Sequence, residues 1–245
     1  MSLKEYVRKR NFKKTAEPKA GRASVRSRHR FVIQKHAASR LHYDFRLELG
    51  GTLKSWAVPK GIPYKKGERR LAVHVEDHPV SYIDFEGTIP KGQYGGGTVM
   101  VWDAGTFEPL SETPAKDLAG GKLHFVLTGN KLRGEWYLVR LREGDEWLLI
   151  KGGEDMKPVS AKADDTSVLS GKSMKALSND PGRVWQSKPR NPDSSFKARV
   201  AQAAQASEKK RAADVASSLA PSSPVDAVSA VTVSVQSPSV AAAST

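Results

Sequence analysis

Between residues 41 and 49 the chain alternates strictly, LHYDFRLEL, with Leu41, Tyr43, Phe45, Leu47 and Leu49 on one side and His42, Asp44, Arg46 and Glu48 on the other. A period of two sends successive side chains to opposite faces of an extended chain, so the stretch reads as a half-buried β-strand. Short apolar runs of the same kind predict strands near 31–35, 53–58, 71–76, 82–86, 97–102, 122–128, 133–141 and 146–151. Turn signals separate them: Gly50-Gly51, Lys60-Gly61, Lys66-Gly67, Pro90 to Gly97, Gly120-Gly121, Gly129-Asn130 and Glu143-Gly144-Asp145. Many short strands with glycine-rich turns predict an all-β fold, a compact antiparallel β-barrel with short helices. One such helix is expected at 111–119, where Ser111 offers a cap. The segment GTIPKGQYGGGTVMVW lacks the GK[ST] ending of a phosphate-cradling loop and reads as a tight hairpin.

Composition divides the chain further. Residues 1–30 hold eleven Lys or Arg against two Glu, which is +9 of a total formal charge of +14. That arm is expected to be flexible and drawn to phosphates, or else a solubilising tail. Residues 31–160 form the barrel, 161–190 an extension that packs on it or trails it, and 191–245 a disordered tail. Thirteen Ala and ten Ser among the last 45 residues, with no net charge, bury too little surface to offset their ordering entropy. There is no cysteine, hence no disulfide framework and no thiolate ligand or nucleophile. With no apolar leader and no run of eighteen apolar residues, a cytoplasmic, nucleoid-associated protein without membrane contact is expected.

The polar side of the 41–49 strand carries the candidate chemistry. Residues two apart on a strand lie about 6.5–7 Å apart at Cα on one face, so His42 and Asp44 can converge on one ion. His36 precedes Ala37-Ala38-Ser39, a small-residue stretch able to bend and return its imidazole to the same place. Two His and one carboxylate suit Mn, Fe(II), Zn or a similar divalent ion. Arg46 continues the row, and a guanidinium beside a metal is a clamp for a phosphate oxygen. The plainer reading is that such a row is the solvated side of an antiparallel strand. Lys60, Arg70 and His78 stand at strand ends, where several polar groups together would line the mouth of a small barrel. The five Trp and most Phe are expected in the core and His74 in a structural role, while His29 and His124 have no local partner in the sequence.

The blocks KRNFKKTAEP, FVIQKHAASRLHYDFRLELGGTLKSWAVPKG, RRLAVHVEDHPVSYIDFEGTIPKGQYGGGTVMVWDAGTFEP, WLLIKGGED and SVLSGKSM resemble the 3′-phosphoesterase domain of bacterial DNA ligase D. The resemblance runs from about residue 8 to 175 and leaves the tail uncovered. It implies a β-barrel enzyme that uses Mn2+ to remove a 3′-terminal ribonucleoside from a primer strand and then hydrolyse the 3′-phosphate to a 3′-OH. Its partners would be primer-template DNA, Ku, and a separate or fused DNA ligase and polymerase. It implies His36, His42 and Asp44 as metal ligands, and Arg46 and a protonated or hydrogen-bonding His78 at the scissile phosphate. Gln34, Lys60, Arg70 and Tyr82 fall at active-site positions. Arg10 and Glu17 match residues that assist the phosphodiesterase step. Asn11 departs from the pattern, since the family usually carries aspartate there.

Two other readings fit parts of the pattern. A non-haem Fe(II) oxygenase could use His42, Asp44 and the distant His124. A metal-free DNA-binding module would explain the charge and the small barrel, though not a row of His, Asp and Arg.

Overall fold

The structure is a computed structural model and describes residues 2–21, 29–142 and 144–180. The elements are α1 (Leu3–Arg8), β1 (Arg30–Ala37), β2 (Leu41–Leu49), β3 (Thr52–Val58), β4 (Arg69–His78), β5 (Gly87–Ile89), β6 (Gly97–Pro109), α2 (Pro114–Ala119), β7 (Lys122–Gly129), β8 (Arg133–Arg140), β9 (Glu146–Lys151), α3 (Ala161–Asp164) and α4 (Met174–Ser178). All strand pairings are antiparallel in the order β1-β2-β3-β4-β9-β8-β7-β6-β5, and β1 also pairs with β6. That last pairing closes an eight-stranded barrel and leaves β5 as a short addition on β6. Closure removes the exposed edges that an open sheet would carry.

Eight expected strands appear where the alternation puts them, and β4 and β6 run longer. The ninth does not. Residues 82–86 were expected as a strand, but Val80–Asp84 forms a 3-10 turn and the strand follows at Gly87–Ile89. Pro79 fixes the entry, its carbonyl accepts from the Tyr82 N–H at 2.9 Å, and Tyr82 in turn accepts from Phe85 N–H at 3.0 Å. At the expected helix, Pro114 opens α2 at its first position, so the N-cap is Thr113 rather than Ser111. The 87–99 segment is the hairpin expected, with Ile89 opposite Gly97. Gly50 and Gly51, at φ of 63° and 77°, make the two-residue turn from β2 to β3 that favours positive φ.

Strands β1 and β6 are buried on both faces along most of their length because each separates two compartments. Phe31, Ile33, Met100 and Trp102 fill the barrel interior with Phe45, Leu47, Trp56, Phe125, Trp136 and Trp147. Val32, Val99 and Val101 point outward into a second cluster with Tyr6, Leu53, Tyr82, Ile83, Phe85 and Ile89. Four of the five Trp are therefore core, and Trp185 lies outside the described residues. Leu41, placed by its alternation among the anchoring residues, is 51% exposed because the strand end overhangs the core.

The second cluster also settles the described part of the basic arm. Tyr6 is fully buried, its hydroxyl donates to the Pro18 carbonyl at 2.5 Å, and Ala16 and Glu17 are buried beside it. Residues 2–21 are thus folded onto the barrel wall, held by one aromatic anchor and by ion pairs that composition alone does not show. At one barrel end, Asp164 of α3 accepts from Lys35, from Tyr43 Oη at 2.9 Å and from Trp102 Nε1 at 2.9 Å. Leu177 of α4 enters the interior core. Residues 181–245, which include the tail expected to be disordered, lie outside the described residues, and none of the described helices is long and apolar enough to cross a membrane.

Candidate metal centre

The β1–β2 hairpin assembles the centre. Its register sets His36 opposite His42 and Gln34 opposite Asp44, so the bend at residues 38–40 returns the chain as the small residues there suggest. All of these side chains lie on the outward face, opposite to Ile33, Phe45 and Leu47. The group is therefore on the outer wall of the barrel, not at its mouth. Nor is that wall solvated: Asp44 is 7% exposed, Arg46 3% and Glu48 0%.

One ligand atom from each of His36, His42 and Asp44 lies within 4.8 Å of the others. His36 Nδ1 is 3.4 Å from one Asp44 oxygen and His42 Nε2 is 3.7 Å from the second. The far nitrogen of each ring faces a backbone carbonyl: His36 Nε2 donates to Gly95 O at 2.9 Å, and His42 Nδ1 donates to Arg40 O at 2.9 Å. These bonds fix both tautomers with the lone pair aimed at Asp44, the outer-shell arrangement of metal-binding imidazoles. Burial raises the Asp44 carboxyl, but the Arg46 guanidinium beside it outweighs that and holds it below the usual carboxylate range. A permanent carboxylate between two oriented imidazole nitrogens is a donor set that fits a divalent transition ion.

Arg46 links the triad to a second polar layer. Its Nη2 meets Asp44 at 3.1 Å, its Nε donates to Gln34 Oε1 at 2.8 Å, and its Nη1 lies 2.9 Å from His78 Nδ1. Gln34 spends its amide on the carbonyls of Tyr82 and Phe85, at 3.2 and 2.9 Å, which fixes the flip. His78 is wedged between two guanidiniums, with Arg10 Nη2 3.1 Å from its Nε2. Burial, then Arg46 and Arg10, push its pKa well below the usual imidazole value. Of the two forms expected for His78, protonated or hydrogen-bonding, the downward shift favours the hydrogen-bonding neutral ring, whose Nδ1 also meets the Glu76 carbonyl at 2.8 Å.

The arm completes this layer. Arg10 donates to Glu17 at 2.7 Å and to Glu76 at 2.8 Å, and lies 3.9 Å over the Tyr6 ring. Tyr82 Oη donates to Glu17 at 3.1 Å; burial, reinforced by Glu17, lifts its pKa well above the ordinary phenol value, so it stays a donor. Lys9 reaches Glu76 at 3.1 Å and the Tyr94 hydroxyl at 3.2 Å.

Nine of the eleven residues singled out in the sequence are joined in this network: His36, His42, Asp44, Arg46, Gln34, His78, Tyr82, Arg10 and Glu17. Two stand apart. Lys60 is exposed just beyond β3, whose last paired residue, Val58, faces Tyr43. Arg70 pairs with Glu68. His124 sits on β7, bonded to Glu135 at 3.1 Å and stacked on Tyr137 at 4.0 Å, three strands around the barrel from β2. It therefore has partners across the strand and cannot complete a triad with His42 and Asp44. His29 likewise packs on Phe107, and His74 stacks on Trp56 in the structural role expected. Sequence reasoning missed Glu76, although its place two residues before His78 was a signal. It also missed the Gly95 and Arg40 carbonyls, for which no side-chain signal exists.

Residues 34–140 match the family model described as the DNA Ligase D 3'-phosphoesterase domain, in line with the resemblance of the sequence blocks. A multifunctional non-homologous end joining protein LigD of Pseudomonas aeruginosa is 53% identical over 154 residues, 61% of this chain and 18% of that protein. The multifunctional non-homologous end joining DNA repair protein LigD of Mycobacterium tuberculosis is 43% identical over 158 residues, 63% of this chain and 20% of that protein. The LigD protein of Mycolicibacterium smegmatis is 42% identical over 152 residues, 60% of this chain and 20% of that protein. The chain thus spans about a fifth of the length of these relatives.

Proposed function

We propose that this chain is a metal-dependent phosphoesterase that heals DNA 3′ ends in non-homologous end joining, with Mn2+ as its ion. The observation that carries the reading is the His36, His42 and Asp44 triad, its tautomers fixed and Arg46 at its side, within the segment that matches the ligase D domain. A bound divalent ion supplies Lewis-acid charge to the phosphate oxygens and to the attacking water.

The protein's own groups do the rest. Arg46 presents Nη2 beside Asp44, where it can donate to a non-bridging phosphate oxygen as charge builds there. Gln34 and Asp44 hold that guanidinium in orientation, with the His78 ring packed against its Nη1. Arg10, braced by Glu17 and Glu76, holds His78 from the other side and ties the arm to the wall. Tyr82 donates to Glu17 and packs 5.1 Å from Arg46. Lys60 and Arg70, outside the network, serve the approaching strand. The Asn11 Oδ1 accepts from the Lys13 N–H at 3.1 Å and serves its own turn, so removal of a terminal ribonucleoside is the weaker of the two steps. The substrate is a primer-template end with a 3′-ribonucleotide or 3′-phosphate, handled in the cytoplasm at the nucleoid. Ku and a DNA ligase and polymerase, separate or fused, are the partners.

Phosphate release from a 3′-phosphate primer-template, with Mn2+ and with chelator, tests the reading. Release of phosphate and a 3′-OH with Mn2+ alone supports it. DNA binding with no release in either condition would instead favour the metal-free module.

A further inference from the structure

Among the described residues six large hydrophobic side chains are exposed, and Tyr94, at 49%, is the one aromatic among them. It stands in the loop from Pro90 to Gly97, whose next residue, Gly95, places its carbonyl on His36 Nε2. A Cβ on Gly95 would come within 3.9 Å of His36 Cε1, so this loop runs directly over a triad imidazole. Two cations from the arm flank the ring: Lys9 Nζ at 4.8 Å and Arg10 Cζ at 5.5 Å from its centroid. Lys9 also donates to the Tyr94 hydroxyl, which fixes the ring's position.

A lone exposed aromatic is ordinary on a surface; what sets this ring apart is its place, half open next to the loop over His36 and with two cations at its flanks. We propose that Tyr94 is the stacking seat for the nucleobase of the terminal nucleotide, with Lys9, which spends two N–H groups on Glu76 and the Tyr94 hydroxyl, turning its third to the neighbouring backbone phosphate. The inference rests on the phosphoesterase reading and names the contact by which the end is held. The chemistry agrees on each count: a flat π-face takes any base, an ammonium next to it takes a phosphate, and the ring is one residue from the group that orients a metal ligand. A seat of this kind is sequence-tolerant, as an end-healing activity requires.

The test compares two primer-templates with the full chain, one ending in a normal 3′-phosphonucleotide and one in a 3′-phosphate on an abasic residue. Tyr94→Ala should lower the ratio of kcat/KM for the base-bearing over the abasic end about tenfold, through KM. Tyr94→Trp, which keeps the ring and loses the hydroxyl, should restore the ratio. A second readout needs no turnover: a 2-aminopurine at the 3′ terminus should be quenched on binding to wild type without metal, and not on binding to Tyr94→Ala. An unchanged ratio together with unchanged quenching overturns the seat. So does an equal fall on both ends, which would assign Tyr94 to holding the loop. Tyr94-dependent quenching in a protein that releases no phosphate would keep the seat and sink the phosphoesterase reading.

Discussion

Asp44 and Asp103 are both buried carboxylates on barrel strands, and their surroundings could hardly differ more. Asp103 accepts from four backbone N–H groups, those of Ala104, Asn130, Lys131 and Leu132, at 2.9–3.0 Å. It clamps the β7–β8 turn so closely that a Cβ on Gly129 would lie 2.4 Å from its Oδ2. Asp44 meets side chains instead: Arg46 and two imidazoles whose lone pairs are already turned toward it. Burial dominates at Asp103 and pushes its carboxyl up to about 6, whereas at Asp44 the Arg46 guanidinium overcomes burial and the shift is downward. A carboxylate saturated by its own backbone is architecture. One surrounded by oriented ligands has capacity left for a guest.

The largest effect that would sharpen this contrast is on Asp103. Asp103→Ala strands four donors, that of Leu132 buried and those of Ala104, Asn130 and Lys131 part-buried; a buried unsatisfied donor costs about 1–3 kcal/mol, so a loss of roughly 3–4 kcal/mol is expected in urea unfolding. Mn2+ bound per folded molecule, measured by titration calorimetry, should not change. Next comes Asp44→Asn, which keeps the shape and removes the charge. Mn2+ binding should vanish and phosphate release should fall about a hundredfold or more, near 3 kcal/mol of barrier, while the fold survives. Near-normal turnover in that variant would erase the distinction between the two sites.

The smallest effect is a pH dependence. His78 and, less buried, His74 have pKa values below the ordinary imidazole value, first through burial. Their unfolded forms take up protons near 6.5 while the folded forms do not, so their contribution is present above 6.5 and is lost as pH falls. Asp103 works the other way: with a folded value near 6 its contribution is present below 3.8 and lost as pH rises through 6. The histidines outnumber it, so stability should fall by roughly 1 kcal/mol per unit between pH 6.5 and 5. Asp103→Asn should steepen that fall. A flat profile in both proteins would place the histidines in a wetter setting than their packing indicates.

Much of the centre was legible because strand alternation and a small-residue bend are local signals. LHYDFRLEL fixes the faces of β2, and His36 returns opposite His42 across a bend at residues 38–40 that begins with the small Ala38 and Ser39. What stayed hidden depends on contacts far apart in the chain. Tyr6 and Ala16 give the arm almost no apolar pattern, so its seat against Tyr82 and His78 could not be read from residues 1–30. The lowered pKa of His78 follows first from its burial under the arm and then from two arginines that converge on it from positions 10 and 46. The 82–86 run has the right residues for a strand, but Pro79 sets a turn first. His124, isolated in the sequence, has its partner on the next strand.

The wall between the apolar interior and the polar centre is a single strand thick along β1, where Ile33 and Lys35 look one way and Gln34 and His36 the other. Slipping that strand by one position would drive His36 inward and an isoleucine onto the carboxylate, spoiling both compartments together. A misfolded chain therefore has no route to a half-formed ion site on a sound barrel, or to a sound site on a loose one. Assembly of the centre doubles as an inspection of the fold.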